Sequence, residues 1–79
     1  MEEQEIQSKV KQVVARVLKM DETVISDEAN FIFDLGADSM QSLELVAGLE
    51  EEFEVELDQD KALEIQSIDG AIDFIKGYL

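Results

Sequence analysis

The residues best suited to chemistry lie in the stretch DLGADSMQSLELV, residues 34–46, where Ser39 stands beside Asp38 at the start of an apolar, helix-like run. The chain contains no histidine and no cysteine. Histidine is the usual general base near neutral pH and cysteine supplies thiolate nucleophiles, so a Ser-His-Asp triad and a cysteine nucleophile are both excluded. Ser39 can therefore react only if another protein activates it, which indicates a modification site and not a catalytic nucleophile.

A purely structural interpretation of the same residues stays open. Asp38 is a good N-cap residue, and Gln41 stands where a capping box has Glu or Gln, so Ser39 could simply be the first residue of a helix. Two neighbours favour a further role, because Gly36 and Ala37 leave the approach to Ser39 sterically open. A phosphate ester on Ser39 would also meet free backbone N–H groups and the positive end of the helix dipole.

The elements that position Ser39 follow from hydrophobic spacing. Three segments repeat apolar residues at helical intervals, namely 4–19, 39–53 and 67–78. Ser67 is placed to cap the third of these helices, and Gly48 inside the second predicts a close approach of two helices. Residues 58–65 predict a short helical turn. Residues 54–57, EVEL, alternate like a strand but have no partner strand, so they are predicted to form a loop.

Residues 20–38 show no sustained period and are predicted to form a long ordered loop with a helical turn inside it. We expect the apolar side chains of this loop to pin it to the core: Val24, Ile25, Phe31, Ile32, Phe33 and Leu35. Leu43 and Val46 are expected to widen the buried stripe of the second helix. The predicted fold class is all-α, a small four-helix bundle of three main helices and one short one, with a long loop between helices 1 and 2. Residues 1–79 are expected to form a single domain.

Charge is distributed unevenly along the chain, whose net charge is −14. Residues 1–19 hold three acids and four bases, residues 20–60 hold fourteen acids and no lysine or arginine, and residues 61–79 hold three acids and two bases. The acidic middle is either a solubilising surface or a field that steers basic partners, and it disfavours nucleic acid. No apolar run is long enough to span a membrane, and the charged N-terminus is not a signal peptide. A soluble, cytoplasmic monomer is therefore expected.

The stretch FIFDLGADSMQSLELVAGLEEEF, residues 31–53, closely resembles the central motif of the acyl carrier proteins, and LEEEFEVEL and SIDGAIDFI follow it in the family order. The resemblance implies that a phosphopantetheinyl transferase moves 4′-phosphopantetheine from coenzyme A onto Ser39. The terminal thiol of that arm would carry acyl groups as thioesters between enzymes, most naturally in fatty acid biosynthesis. The chain itself would be no enzyme, which agrees with its missing cysteine and histidine.

The resemblance also assigns neighbouring side chains. Asp38 matches the acid beside the modification site, and Met40 matches an apolar position that partners touch. Glu44, Glu50 and Glu51 match acids of the second helix that meet the basic docking patches of the transferase, acyl-ACP synthase and acyl-transfer enzymes. Finally, the family shelters an acyl chain between its helices, and the apolar residues expected to form the core could line that cleft: Leu45, Leu49, Phe53, Ile65, Ile68 and Ile72.

Four positions depart from the family pattern. Met40 replaces the usual leucine, Gln41 stands where many members have an acid, and Asp58 stands where a proline often follows the second helix. Phe33 occupies a position that is commonly polar or acidic, so it either adds to the core or exposes an aromatic patch near Ser39. The second case would suggest a specialised carrier for a polyketide, lipid-modification or other secondary pathway. A peptidyl-type carrier is less favoured, because Asp38 precedes the serine.

A different class of function is an acidic protein that binds divalent cations or only interacts with other proteins. An EF-hand needs acids at loop positions 1, 3 and 5, glycine at 6 and glutamate at 12. No window of this chain satisfies that pattern, so no metal site is expected. A pure interaction protein would use the charge but would leave the DLGADS motif without a role.

Overall fold

The computed structural model describes residues 2–79, which form four α-helices and one 3₁₀ turn and contain no β-strand. The elements in chain order are α1 (Glu3–Leu18), the 3₁₀ turn (Glu22–Val24), α2 (Ser39–Phe53), α3 (Gln59–Ala62) and α4 (Ile68–Lys76). The predicted all-α fold of three main helices and one short one is confirmed, as is the long connection between α1 and α2. No helix within residues 2–79 is both long and apolar enough to cross a bilayer.

Side-chain caps fix where the helices begin. The Asp38 carboxylate accepts the amide of Gln41 at 2.8 Å, and the Gln41 side chain accepts the amide of Asp38 at 3.1 Å, which is the predicted capping box. Ser67 caps α4 through a 3.2 Å bond from the amide of Gly70, also as predicted. Asp58 caps α3 in the same way, so this departure from the family pattern has a structural use.

The core lies between α1, α2 and α4, and α1 packs against both of the others. Its members include Ile6, Val10, Val13, Val14, Leu45, Val46, Leu49, Phe53, Ile68, Ala71, Ile72 and Ile75. A Cβ atom on Gly48 would lie 2.8 Å from Cγ1 of Val13, closer than van der Waals contact allows. The predicted close approach of two helices at Gly48 is therefore confirmed.

The connection between α1 and α2 is ordered by backbone hydrogen bonds to the segment before α4. The amide of Phe31 donates to the carbonyl of Gln66, and the amide of Ile68 donates to the carbonyl of Ala29. Ile25 and Phe31 are buried and Leu35 is half-buried, as expected for side chains that pin the loop. This pinning leaves the last turn before α2 attached to the same core as α4.

The expectation that Val24, Ile32 and Phe33 pin the loop to the core is wrong, because all three side chains are exposed. Of the two alternatives for Phe33, the structure shows the exposed aromatic side chain. The amide of Asp34 donates to the carbonyl of Asn30, which closes a tight turn. Only one side of such a turn can face the core, and Phe31 occupies it. Val24 ends the short 3₁₀ turn on its solvent side.

Leu43 is likewise exposed and does not widen the buried stripe of α2, although Val46 does. Two residues of α-helix rotate a side chain by about 200°, so Leu43 cannot share the face of Leu45. Leu63, which follows α3, is also exposed, and Ile65 is half-buried.

Candidate functional site

The candidate site is built on the first turn of α2, where Ser39 is the first helical residue and is exposed. The carbonyl of Asp38 accepts two bonds from Ser42, at 2.9 Å from its amide and 3.1 Å from its hydroxyl. Within residues 2–79, the amides of Ser39 and Met40 have no hydrogen-bond partner. The helix terminus therefore presents two free N–H groups and its positive dipole end beside the Ser39 hydroxyl, an arrangement that suits a phosphate group.

The approach to Ser39 is open, as the sequence predicted. Gly36 has a φ of +74°, a left-handed conformation that favours glycine, and a Cβ atom there would meet no atom within 4 Å. Ala37 is buried, and its amide donates to the carbonyl of Phe31 at 2.7 Å. The two residues thus turn the chain sharply into α2 without placing bulk over the serine.

Ser39 differs from the other four serines of the chain. Ser42 and Ser67 are half-buried; the Ser42 hydroxyl donates to the carbonyl of Asp38, and the Ser67 hydroxyl caps α4. Ser8 accepts a bond from a side-chain amide one turn further along α1. Ser26 is exposed but lies in the long connection, away from any helix N-terminus. Among residues 2–79, only Ser39 combines an exposed, unbonded hydroxyl with the first position of a long helix.

An apolar groove runs beside Ser39, and sequence reasoning missed most of it. Its walls are formed by Ile32, Ala37, Asp38, Ser39, Ser42, Leu43 and Leu63. Met40, predicted as an apolar contact, is 71% exposed next to this groove. The exposure of Leu43 could have been predicted from its angular position on α2, which lies outside the buried stripe. The outward orientation of Ile32, in contrast, depends on the turn at residues 30–34.

The acidic residues predicted to contact partner enzymes differ in exposure and in hydrogen bonding. Asp38, Glu44 and Glu51 are exposed, and Glu44 and Glu51 form no hydrogen bond or ion pair within residues 2–79. Glu50 is half-buried, and its carboxylate accepts the amide of Leu57 at 2.9 Å. One of its oxygens therefore holds the segment after α2. No three carboxylates in the described part of the chain converge to hold a metal ion.

A small apolar cavity of about 30 Å³ lies between the helices behind the groove. Of the six residues expected to line an acyl cleft, Leu45, Leu49 and Ile65 line this cavity, with Val46, Leu57 and Phe74 among the others. The remaining three, Phe53, Ile68 and Ile72, are buried elsewhere in the core. Ser42 and Leu63 line both the cavity and the groove, so they separate the interior from the surface beside Ser39.

Two ion pairs tie α1 to other elements at positions outside this groove. Lys11 lies 2.5 Å from Asp27, and its ammonium group lowers the pKa of the Asp27 carboxyl. Lys76 of α4 lies 2.6 Å from Glu3, whose carboxylate raises the pKa of the Lys76 ammonium. Among the fourteen acids of residues 20–60, Asp27 is the one that forms an ion pair with a base within the described residues.

Comparison with known protein families agrees with this geometry. A family model described as "Phosphopantetheine attachment site" matches residues 8–75, which include most of α1 and α4 and all of α2, α3, the groove and the cavity. Domains of this family are non-catalytic carriers with covalently attached 4′-phosphopantetheine. The exposed serine hydroxyl, the free helix N-terminus and the open approach fit such a group. The chain therefore belongs to the phosphopantetheine-attachment family, as its resemblance to the acyl carrier proteins implied.

Proposed function

We propose that Ser39 carries the 4′-phosphopantetheine and that this chain is an acyl carrier protein of fatty acid biosynthesis in the cytoplasm. The observation that carries the proposal is the position of Ser39, whose exposed and unbonded hydroxyl opens α2 within the matched region. The other serines are bonded or lie away from a helix N-terminus. The arm supplies the thiol that the cysteine-free chain lacks.

Attachment requires a partner enzyme because the chain holds no base for Ser39. It has no histidine, and the Asp38 carboxylate is engaged by the amide of Gln41. As the Ser39 oxygen bonds to the pantetheine-bearing phosphorus of the coenzyme A pyrophosphate, the phosphoanhydride bond breaks and 3′,5′-ADP leaves. The hydroxyl proton passes to a base of the transferase. The resulting phosphodiester anion lies at the N-terminus of α2, where the helix dipole stabilises a charge by about 0.3–1 kcal/mol.

The exposed acids around Ser39 would dock partner enzymes through basic patches. Asp38, Glu44 and Glu51 are the proposed contacts for the transferase, acyl-ACP synthase and acyl-transfer enzymes, with Met40 as an apolar contact. A single exposed ion pair contributes about 0–1 kcal/mol, so these acids act mainly by steering the encounter. Glu50 combines this role with its bond to the amide of Leu57.

The cavity behind the groove is the proposed shelter for the acyl chain. A water molecule needs roughly 10–15 Å³ of such space, so the present cavity of about 30 Å³ is too small for a long chain without separation of the helices. An acyl group attached through Ser39 would enter past Ser42 and Leu63, which border both spaces. Hydrolysis of the thioester should then slow as the acyl chain lengthens, and rates independent of chain length would contradict this shelter.

The attachment itself is tested by intact mass after incubation with coenzyme A, Mg²⁺ and a broad-specificity phosphopantetheinyl transferase. Wild type and Ser42→Ala should each gain one phosphopantetheine, and Ser39→Ala should gain none. Ser42 is a matched control because it lies on the same turn but its hydroxyl is bonded to the Asp38 carbonyl. Gain in Ser39→Ala, or no gain in a wild type shown by circular dichroism to be helical, would refute the proposal.

A second candidate is a specialised carrier of a polyketide, lipid-modifying or other secondary pathway. The observation that favours it is Phe33, which is 87% exposed and directly follows Ile32, a wall residue of the groove. The loaded chain is incubated with the ketosynthase and reductases of fatty-acid synthesis. Elongation of an acetyl group on it would support the fatty-acid assignment. Loading without elongation, in a reaction where a known carrier is elongated, would favour the specialised one.

A further inference from the structure

The exposed apolar side chains are concentrated around Ser39. Eight large apolar residues are exposed among those that the structure describes: Val24, Ile32, Phe33, Met40, Leu43, Leu63, Tyr78 and Leu79. Five of these line the groove beside Ser39 or adjoin its walls in the sequence. Phe33 is the most exposed of the eight, at 87%. A patch of exposed apolar side chains is typical of a surface that a partner covers.

The turn that displays Phe33 is held in one conformation. The side-chain oxygen of Asn30 accepts the amides of Ile32 and Phe33, each at 2.9 Å, and the Asp34 carboxylate accepts the amide of Asn30 at 2.7 Å. The amide of Gly36 then donates to the carbonyl of Ile32. Binding through Phe33 would therefore require little additional ordering of the backbone, which is the usual property of an anchor residue.

The chain's own cargo is not suited to cover this ring. The groove that begins at Ser39 is walled by Ile32, Leu43 and Leu63, and Phe33 is not among its lining residues. A group attached to Ser39 and lying in the groove would leave Phe33 in water. A separate macromolecule is needed to bury it.

Charge selects the kind of macromolecule. The segment 20–60 around Phe33 contains fourteen acids and no base, so a second copy of the chain, an anionic membrane or a nucleic acid would be repelled. A protein with basic side chains would be attracted. An enzyme that acts at Ser39 covers more than the groove, since a standard interface of about 800 Å² per partner is roughly one sixth of this molecule's 4970 Å² surface. Phe33 directly follows Ile32, a wall residue of the groove, so it adjoins the surface that such an enzyme covers.

We propose that Phe33 is an anchor residue that inserts into an apolar pocket, rimmed by lysine and arginine, on the enzyme that modifies Ser39. The inference rests on the proposed function, because it assigns a docking role at the same site. Phe33 does not touch the reacting hydroxyl, so its loss should weaken docking without slowing the chemical step. Truncation of an anchor is expected to weaken affinity about tenfold, which corresponds to about 1.4 kcal/mol.

The test uses a broad-specificity phosphopantetheinyl transferase as the probe and measures KM and kcat for wild type, Phe33→Ser, Phe33→Tyr and Val24→Ser. Phe33→Ser should raise KM about tenfold and leave kcat within about twofold, while Phe33→Tyr, which keeps the ring, should restore the wild-type KM. Val24→Ser is the matched control, since Val24 is 65% exposed but lies outside the groove. Circular dichroism melting of the four proteins establishes that all are folded.

Each contrary outcome is distinct. Absence of modification in wild type would refute the proposed function itself and this inference with it. Normal modification with an unchanged KM for Phe33→Ser, or an equal KM rise in Val24→Ser, would overturn the anchor alone. A wild-type dimer in sedimentation equilibrium that Phe33→Ser dissolves, or flotation of wild type with phosphatidylcholine vesicles that this variant loses, would assign Phe33 to another occupant and also overturn it.

Discussion

The two halves of α2 are built for different purposes. None of residues 39–44 is buried, whereas the second half buries Leu45, Val46, Gly48, Leu49 and Phe53. The first half carries the candidate attachment serine, the exposed Met40 and Leu43, and the free amides of the helix terminus. The second half packs against α1 and supplies much of the core.

This division separates function from stability within fifteen residues. A helix terminus that must remain open to partner enzymes cannot also be buried, so the stability of α2 depends on its other end and on its cap. Substitutions in the first half should therefore change reaction with partners and leave unfolding nearly unaffected. Substitutions of the buried residues in the second half should do the reverse.

The largest effect is expected from a pair of leucine truncations on the same helix. Leu49 is 5% exposed and Leu43 is 44% exposed. Leu49→Ala removes buried methyl groups and leaves a cavity, so it should reduce the free energy of unfolding by about 2–5 kcal/mol, while Leu43→Ala should cost less than about 1 kcal/mol. Urea denaturation followed by circular dichroism measures both. Similar losses for the two variants would contradict the division of α2.

A glycine substitution tests the close packing of the second half. Alanine at position 48 gains about 1 kcal/mol of helix propensity but places its Cβ 2.8 Å from Cγ1 of the fully buried Val13. Overpacking costs about 1–3 kcal/mol, so we expect Gly48→Ala to destabilise the domain by about 1 kcal/mol net. Thermal or urea unfolding gives the value.

The control is a double-mutant cycle with Val13→Ala, which removes the atom that clashes. In that background Gly48→Ala should become neutral or stabilising, because only the propensity gain remains. Additive effects of the two substitutions would show that Gly48 has no packing role at this contact.

Asp38 contributes to the stability of α2, which it caps, and is proposed to contribute to partner recognition, because it lies beside Ser39. Asp38→Ala should cost about 1 kcal/mol, because the amide of Gln41 loses its acceptor. Asp38→Asn keeps a good cap and removes only the charge, so it should retain stability while raising the KM of the transferase. Urea denaturation and transferase kinetics separate the two roles. Equal stability of Asp38→Ala and wild type would argue against the cap.

Local signals in the sequence predicted much of this architecture. The Asp38–Gln41 pair and the apolar spacing placed α2 at 39–53, and Ser67 placed the start of α4, because caps and helical period depend on residues close together in the chain. Gly48 predicted the close helix approach because glycine weakens a helix interior by about 1 kcal/mol relative to alanine, so its presence there indicates a packing requirement.

The features that could not be predicted depend on the path of the chain in space. Ile32 and Phe33 are apolar, but the turn closed by Asn30 determines that they point outward. Glu50 looks like its acidic neighbours in the sequence, yet the chain after α2 returns close enough for the amide of Leu57 to bind it. Residue type indicates what a side chain can do, whereas its exposure is decided by contacts distant in sequence.

The smallest expected effect is on the melting temperature and compares two acids. Asp27 forms an ion pair with Lys11, whereas Glu44 on α2 forms none within the described residues. Lys11 lowers the pKa of Asp27 in the folded state from its ordinary value of 3.8, so the pair stabilises the fold above that value and this contribution is lost as the pH falls through the folded pKa. Asp27→Asn should therefore lower the melting temperature slightly at pH 7 and have less effect at a pH below the folded pKa, where the carboxyl is protonated in both states. Glu44→Gln should leave the melting temperature unchanged at either pH while weakening transferase docking. An equal loss of melting temperature in Asp27→Asn at both pH values would contradict this prediction. It would mean that the Asp27 side chain acts through packing or hydrogen bonding, and that its charge does not distinguish it from Glu44.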